Sequence, residues 1–179
     1  MIGNGAKFRI VNVLQGEFYV TRRPDEVLST VLGSCVAVCM MDPMAGIGGM
    51  NHFLLPERDG PDGETVKFGA YAMELLINAL LKGGARRSRL AAKVFGGSSL
   101  NDNLRDIGRD NADFARGFLT NEKIPILSES LGGTSARRIR FSPATGLVQQ
   151  FLVPSMPDLE VPGPGCRPAP LRREVELFN

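Results

Sequence analysis

Two apolar runs joined by a short polar break constrain this chain more than any other feature. Cys35 to Met41 is the first run and Ile47 to Leu55 the second. Asp42-Pro43-Met44-Ala45 lies between them and carries turn chemistry. Asp can accept hydrogen bonds from the backbone just ahead of it, and Pro presets φ. The pattern predicts a β-hairpin with both arms largely buried. If the turn is centred so that Asp42 faces Ala45, the same register carries Cys35 opposite His52. Facing residues of an antiparallel pair share one side of the sheet. A slip of one residue would separate them.

That juxtaposition matters because His52 is the only histidine of the chain. A thiol beside an imidazole is the minimal constellation for nucleophilic catalysis. The alternatives are a cysteine that simply packs and a histidine held by structural hydrogen bonds.

Composition narrows the setting. At 179 residues and 43% hydrophobic content the chain fits one folded core. A net charge of +2 gives no argument for a nucleic-acid partner. No apolar run reaches the ~18 residues that span a bilayer, and the N-terminus lacks the segments of a secretory signal. The three cysteines show no framework spacing, and one histidine beside them makes a poor zinc set. Neither metal nor cofactor is expected, and a cytoplasmic location without membrane insertion is.

Along the chain, strands are expected at Phe8 to Leu14, Phe18 to Val20, Leu90 to Phe95, from Ile124, at Arg138 to Ser142 and at Leu147 to Val153. Helices are expected at Lys67 to Leu81 and at Leu100 to Leu119, the second capped by Asn101 or Asp102. Tyr71, Leu75, Ile77, Leu80 and Leu81 would form the apolar face of the first, broadened by Met73 and Leu76. Arg86, Arg87 and Arg89 read as a solvated cluster. Gly96-Gly97-Ser98-Ser99 reads as a tight, exposed turn without the Lys of a phosphate-binding loop, and close backbone packing near the Cys35 site is the favoured reading of it. Residues 154–169 are rich in proline, and Cys166 sits idle among them. Leu171 to Phe178 mixes charges with Leu, Val and Phe; a poorly ordered terminus is the default expectation, with docking on this chain or on a partner as the alternative. The expected division is a domain at 1–155 and a Pro/Gly-rich tail at 156–179. Elements in this order predict an α+β or mixed α/β fold rather than a doubly wound sheet.

Thr30-Val31-Leu32-Gly33-Ser34-Cys35-Val36, then Asp42-Pro43, then Gly48-Gly49-Met50-Asn51-His52-Phe53-Leu54-Leu55-Pro56 closely resemble the CheD family, the chemoreceptor glutamine deamidases. Phe68-Gly69-Ala70-Tyr71-Ala72-Met73, Lys93-Val94-Phe95-Gly96-Gly97, Ile107-Gly108 with Asn111, and Gly132-Gly133 with Arg137 and Phe141 extend the likeness. It covers roughly residues 10 to 150.

The resemblance implies a three-layer sandwich similar to the catalytic domain of cytotoxic necrotizing factor toxins. It implies conversion of receptor glutamines to glutamate through a cysteine thioester. Cys35 would be the nucleophile, His52 the acid and base, and Thr30 the third residue, with Ser29 as the alternative. Backbone N–H groups near Gly33, Ser34 and Cys35 would form an oxyanion hole. Phe68, Tyr71, Gly96 and Gly97 would support the site or contact substrate, and Tyr71 fits the helix core face equally well. The implied partners are methyl-accepting chemotaxis receptors and, as in some family members, a CheC-type phosphatase. An adaptor with little catalysis is the alternative of a different class. A cysteine protease or transglutaminase is the enzymatic one, because each also works through a Cys–His pair.

Overall fold

The segment Val36–Asp42 is buried at every position, and a strand of that kind needs cover on both faces. The computed structural model, which describes residues 7–56, 64–100, 105–153 and 175–178, supplies it. Among the described residues ten strands and two α-helices follow in order, with a single 3₁₀ turn at Arg87–Arg89. They are β1 (Arg9–Asn12), β2 (Phe18–Thr21), β3 (Glu26–Leu32), β4 (Val36–Asp42), β5 (Ile47–Phe53), α1 (Glu64–Lys82), β6 (Ala91–Gly96), α2 (Arg105–Asn121), β7 (Ile126–Leu131), β8 (Ala136–Phe141), β9 (Val148–Val153) and β10 (Val175–Phe178). They form two five-stranded sheets, ordered β1-β3-β8-β9-β10 and β2-β5-β4-β6-β7.

Alternate residues of β4 serve two cores. Val36, Val38 and Met40 pack with Met73, Leu76 and Leu80 of α1 and with Ala115 and Leu119 of α2. Ala37, Cys39 and Met41 pack with Leu28, Ile139, Phe141 and Val148 of the other sheet. The layers are therefore helices, sheet, sheet: the mixed α/β three-layer class expected. Full burial of each Leu or Met side chain stabilises the fold by roughly 1.5–3 kcal/mol before entropy is counted.

The hairpin forms with a register two residues from the expected one. Asp42 pairs with Ile47, and Ala37, not Cys35, lies opposite His52. Asp42 Oδ1 accepts the N–H groups of both Met44 and Ala45 at 3.1 Å, which keeps Asp42 in the strand and puts the bend after it. Gly46 closes the loop at φ +60°, a conformation that costs glycine little. Because the displacement is even, every side chain keeps its face.

Three further expectations need correcting. The buried face of α1 runs through Met73, Leu76, Ile77 and Leu80, and Tyr71 is 62% exposed. Its neighbours three and four residues on, Glu74 and Leu75, also lie off the core. The arginine cluster is not simply solvated: Arg89 closes on buried Asp42 at 2.8 Å, and Arg87 pairs with Glu122. Val175–Phe178, within the stretch expected as a tail, pairs antiparallel with β9. There the Phe178 ring meets Phe95 edge-on at 5.3 Å. Buried Lys93 donates from Nζ to the carbonyl of Phe178 at 3.0 Å. The expected cap at Asn101 or Asp102, residues 154–169 and Cys166 lie outside the described residues.

Candidate active site

Residues 33–35 are the point where the chain crosses from one sheet to the other. β3 ends in the first sheet at Leu32, and β4 begins in the second at Val36. Gly33 and Ser34 give this corner little side-chain bulk. The segment after β6 holds it in place: the N–H groups of Gly97 and Ser98 donate to the carbonyls of Cys35 and Gly33, each at 2.8 Å. Gly96 lies at φ +116°, and a Cβ there would stand 2.1 Å from the Cys35 carbonyl oxygen. Only glycine fits so close an approach. Gly96 and Gly97 are thus buried against the Cys35 backbone, which is the close packing beside the site expected of them, although the turn is not exposed. Ser98 is fixed in turn: its hydroxyl donates to the Ser135 carbonyl at 2.9 Å and accepts from Arg137 Nη2 at 2.9 Å.

Cys35, His52 and Thr30 converge between the two sheets. Cys35 Sγ lies 2.9 Å from His52 Nε2. His52 Nδ1 lies 2.9 Å from Thr30 Oγ1. Thr30 Oγ1 donates to the carbonyl of Val13 at 2.8 Å, and His52 Nδ1 stands 3.4 Å from that same oxygen. Ser29 points to the other face of β3, where its hydroxyl donates to the Ile139 carbonyl at 3.1 Å. The alternation of a strand separates the two hydroxyls, and it is Thr30 that meets the imidazole.

The hydrogen-bond network assigns the tautomer. A carbonyl only accepts, so the single Thr30 proton goes to Val13. The Thr30 oxygen then accepts, and Nδ1 carries the imidazole proton. That leaves the Nε2 lone pair facing the thiol of Cys35. Burial pushes the Cys35 thiol up, against the downward pull of the Gly33 and Cys35 backbone N–H groups. Burial likewise pushes His52 down, against the raising influence of the Val13 carbonyl. Both shifts favour a resting pair that is uncharged, S–H beside N. Cys35 retains 8% exposure and Cys39 none. Burial drives the Cys39 thiol far up despite Lys93 beside it, which makes Cys39 inert core.

Phe68 and Tyr71 stand on the first turns of α1, 45% and 62% exposed. Among the described residues no three His, Cys, Asp or Glu side chains gather as a metal set, and no helix is long and apolar enough to cross a membrane. Sequence reasoning missed the Val13 carbonyl, and a backbone group carries no residue-type signal that could have found it. Ser98 stood only within the Gly96-Gly97-Ser98-Ser99 stretch, without its hydroxyl contacts. Arg137 stood only as part of a family-like block, without the contact that gives it a place here.

A family model for CheD chemotactic sensory transduction matches residues 54–150. A Caulobacter vibrioides protein named "Probable chemoreceptor glutamine deamidase CheD" is 56% identical over 94% of this chain and 92% of its own length. An Acidiphilium cryptum protein of the same name is 50% identical over 95% and 94%. A looser likeness among solved structures is the Bacillus licheniformis hypothetical protein YfiH, with TM-score 0.45 at 16% identity over 73% of this chain and 62% of that one. Identity at this level over nearly the whole length, with Cys35, His52 and Thr30 converging on one buried corner, places the chain in the CheD family.

Proposed function

We propose that this chain is a chemoreceptor glutamine deamidase acting in bacterial chemotaxis, with Cys35 as nucleophile, His52 as proton shuttle and Thr30 as the residue that orients the imidazole. The observation that carries the reading is the unbroken series from the Val13 carbonyl through Thr30 and His52 to the Cys35 sulfur. A carboxamide is a weak electrophile, and a thioester divides its hydrolysis into two easier steps. Cys35 passes its proton to His52 Nε2 as its sulfur bonds to the amide carbon. The imidazolium gives that proton to the leaving nitrogen, and ammonia departs as the C–N bond breaks. His52 then takes a proton from water, whose oxygen attacks the thioester. The C–S bond breaks, glutamate leaves and the thiol is restored. N–H groups of residues 33–35 are the candidate donors to the tetrahedral oxyanion, on a corner held still by Gly97 and Ser98.

The substrate glutamine sits on a receptor helix, so Phe68 and Tyr71 are the candidate surface that grips its surroundings. Tyr71→Ala then raises KM with little change in kcat, and free glutamine is a poor substrate because it lacks those remote contacts. The cytoplasm is the site of action, and a CheC-type phosphatase is the further partner this reading carries. The test is incubation with receptor cytoplasmic fragments and peptide mass spectrometry. Glutamine-to-glutamate conversion that disappears in Cys35→Ala and His52→Ala is the expected result. Full conversion by Cys35→Ala would overturn the mechanism. Transfer of added amines in place of hydrolysis would make the chain a transglutaminase.

A further inference from the structure

We infer that Glu17 is a positioning residue of this site, acting through the peptide unit between Val13 and Leu14. The inference rests on the assignment of Cys35, His52 and Thr30 above. That one peptide unit is held from both sides. Its carbonyl, on Val13, accepts the Thr30 hydroxyl at 2.8 Å. Its N–H, on Leu14, donates to Glu17 Oε2 at 3.0 Å. A peptide unit is planar, so gripping the N–H fixes the direction of the carbonyl. The carbonyl direction decides where the Thr30 proton goes, and that decides which nitrogen of His52 carries the imidazole proton and so whether the Nε2 facing Cys35 is free to accept. Hydrogen bonds at the two ends of an amide also polarise one another, which makes the carbonyl a better acceptor.

The surrounding turn has the same purpose. Glu17 N–H donates to the Leu14 carbonyl at 3.0 Å, and Gly16 and Glu17 clasp the His52 backbone through bonds of 2.7 and 3.0 Å. These main-chain bonds do not use the Glu17 side chain. The side chain adds a separate element, the grip on the Leu14 N–H, and it does so from the exposed side of the turn. An exposed carboxylate bound to a backbone N–H caps a turn in many proteins. Here the capped peptide is the one whose other end enters the site.

The experiment measures alkylation of Cys35 by iodoacetamide, with the modified residue identified by peptide mass spectrometry. This readout needs no receptor. Glu17→Ala slows Cys35 alkylation at neutral pH by about tenfold, the order expected from a small misplacement of a catalytic group. Glu17→Gln retains an acceptor oxygen and restores most of the rate. Glu17→Ala combined with Thr30→Val is no slower than Thr30→Val alone, because both act on the same bond series. In deamidation assays the loss falls on kcat and leaves KM in place. Wild-type alkylation in Glu17→Ala would overturn the inference. So would Glu17→Gln behaving like Glu17→Ala, or effects that add with those of Thr30→Val. If receptor fragments are not deamidated while the alkylation pattern holds, the substrate reading fails and the positioning role stands.

Discussion

The β4–β5 hairpin has a polar group at each end, and the two ends are built on opposite principles. At the turn end, Asp42 has no exposure and is saturated with donors. The N–H groups of Met44, Ala45 and Arg86 and the guanidinium of Arg89 all reach it. The hydrogen bond from Arg89, the largest influence, holds the carboxyl far below the usual carboxylate range. At the open end, Cys35 and His52 meet each other, and burial drives both toward the neutral form. A charge that is fully matched stabilises a fold and cannot readily change state. A pair held neutral and hydrogen-bonded can pass a proton at little cost, and catalysis needs that. The same two strands thus carry a fixed charge at one end and a movable proton at the other.

The comparison is tested most severely by removing one group from each end. Cys35→Ala lowers deamidation by on the order of 10⁴-fold or more and leaves the melting temperature close to wild type, since the lost sulfur holds no charged partner. Thr30→Val follows with roughly 10²-fold in kcat, the cost of an imidazole free to turn. Thermal melts and receptor assays on the same preparations check both. Asp42→Ala should do the reverse. It strands the donors of Arg86 and Arg89 and costs about 2 kcal/mol of stability, a value held down because Arg89 is 25% exposed and water replaces part of the loss. Its kcat, measured well below the melting temperature, stays near wild type. A large kcat loss in Asp42→Ala with unchanged stability would mean that the two ends are not separate.

The two ends were also unequally legible in the sequence. The polar break announced the hairpin, and alternation put Cys35 and His52 on one face whichever of the two even-spaced registers formed. The register itself escaped because the side chain of Asp42 delays the bend until after it, and residue type alone does not show where that bend falls. Thr30 was a harder case. It meets His52 across two different sheets, β3 in one and β5 in the other, and no local period relates such strands. Only the family resemblance pointed to it, and the structure separates it from Ser29 by strand alternation. Helical spacing names Met73, Leu76, Ile77 and Leu80 among the apolar residues of α1 but leaves Tyr71 open between core and surface, and the packing settles on those four with Tyr71 outside. The apolar residues of Val175–Phe178 leave docking on this chain open as an alternative, but four residues after a proline-rich run are too few to show a strand or its partner. The place of β10 depends on Phe95 and Lys93, more than eighty positions upstream.

The smallest expected effect is the pH dependence that tells the two ends apart. His52 is the only histidine in the chain, so a difference between wild type and His52→Gln isolates its titration. Burial lowers its pKa in the folded state, while the unfolded chain has the ordinary value near 6.5. As pH falls below about 6.5, the unfolded state takes up a proton that the native state resists, and stability decreases. The decrease ends once pH has passed the folded pKa, where both states are protonated. Asp42 acts in a separate window. Its folded pKa is depressed, so its contribution is present above the carboxylate range near 4 and is lost only as pH falls below that. The site end therefore weakens first on acidification and the turn end later. Melting temperatures measured between pH 7.5 and 5, chosen as roughly the imidazole window, should fall more steeply for wild type than for His52→Gln. The acid limb of kcat/KM should have its midpoint below the ordinary imidazole value, because the neutral Nε2 is the working form. Parallel melting curves for the two proteins would show that His52 is not held neutral by burial, and the contrast between the two ends would be lost.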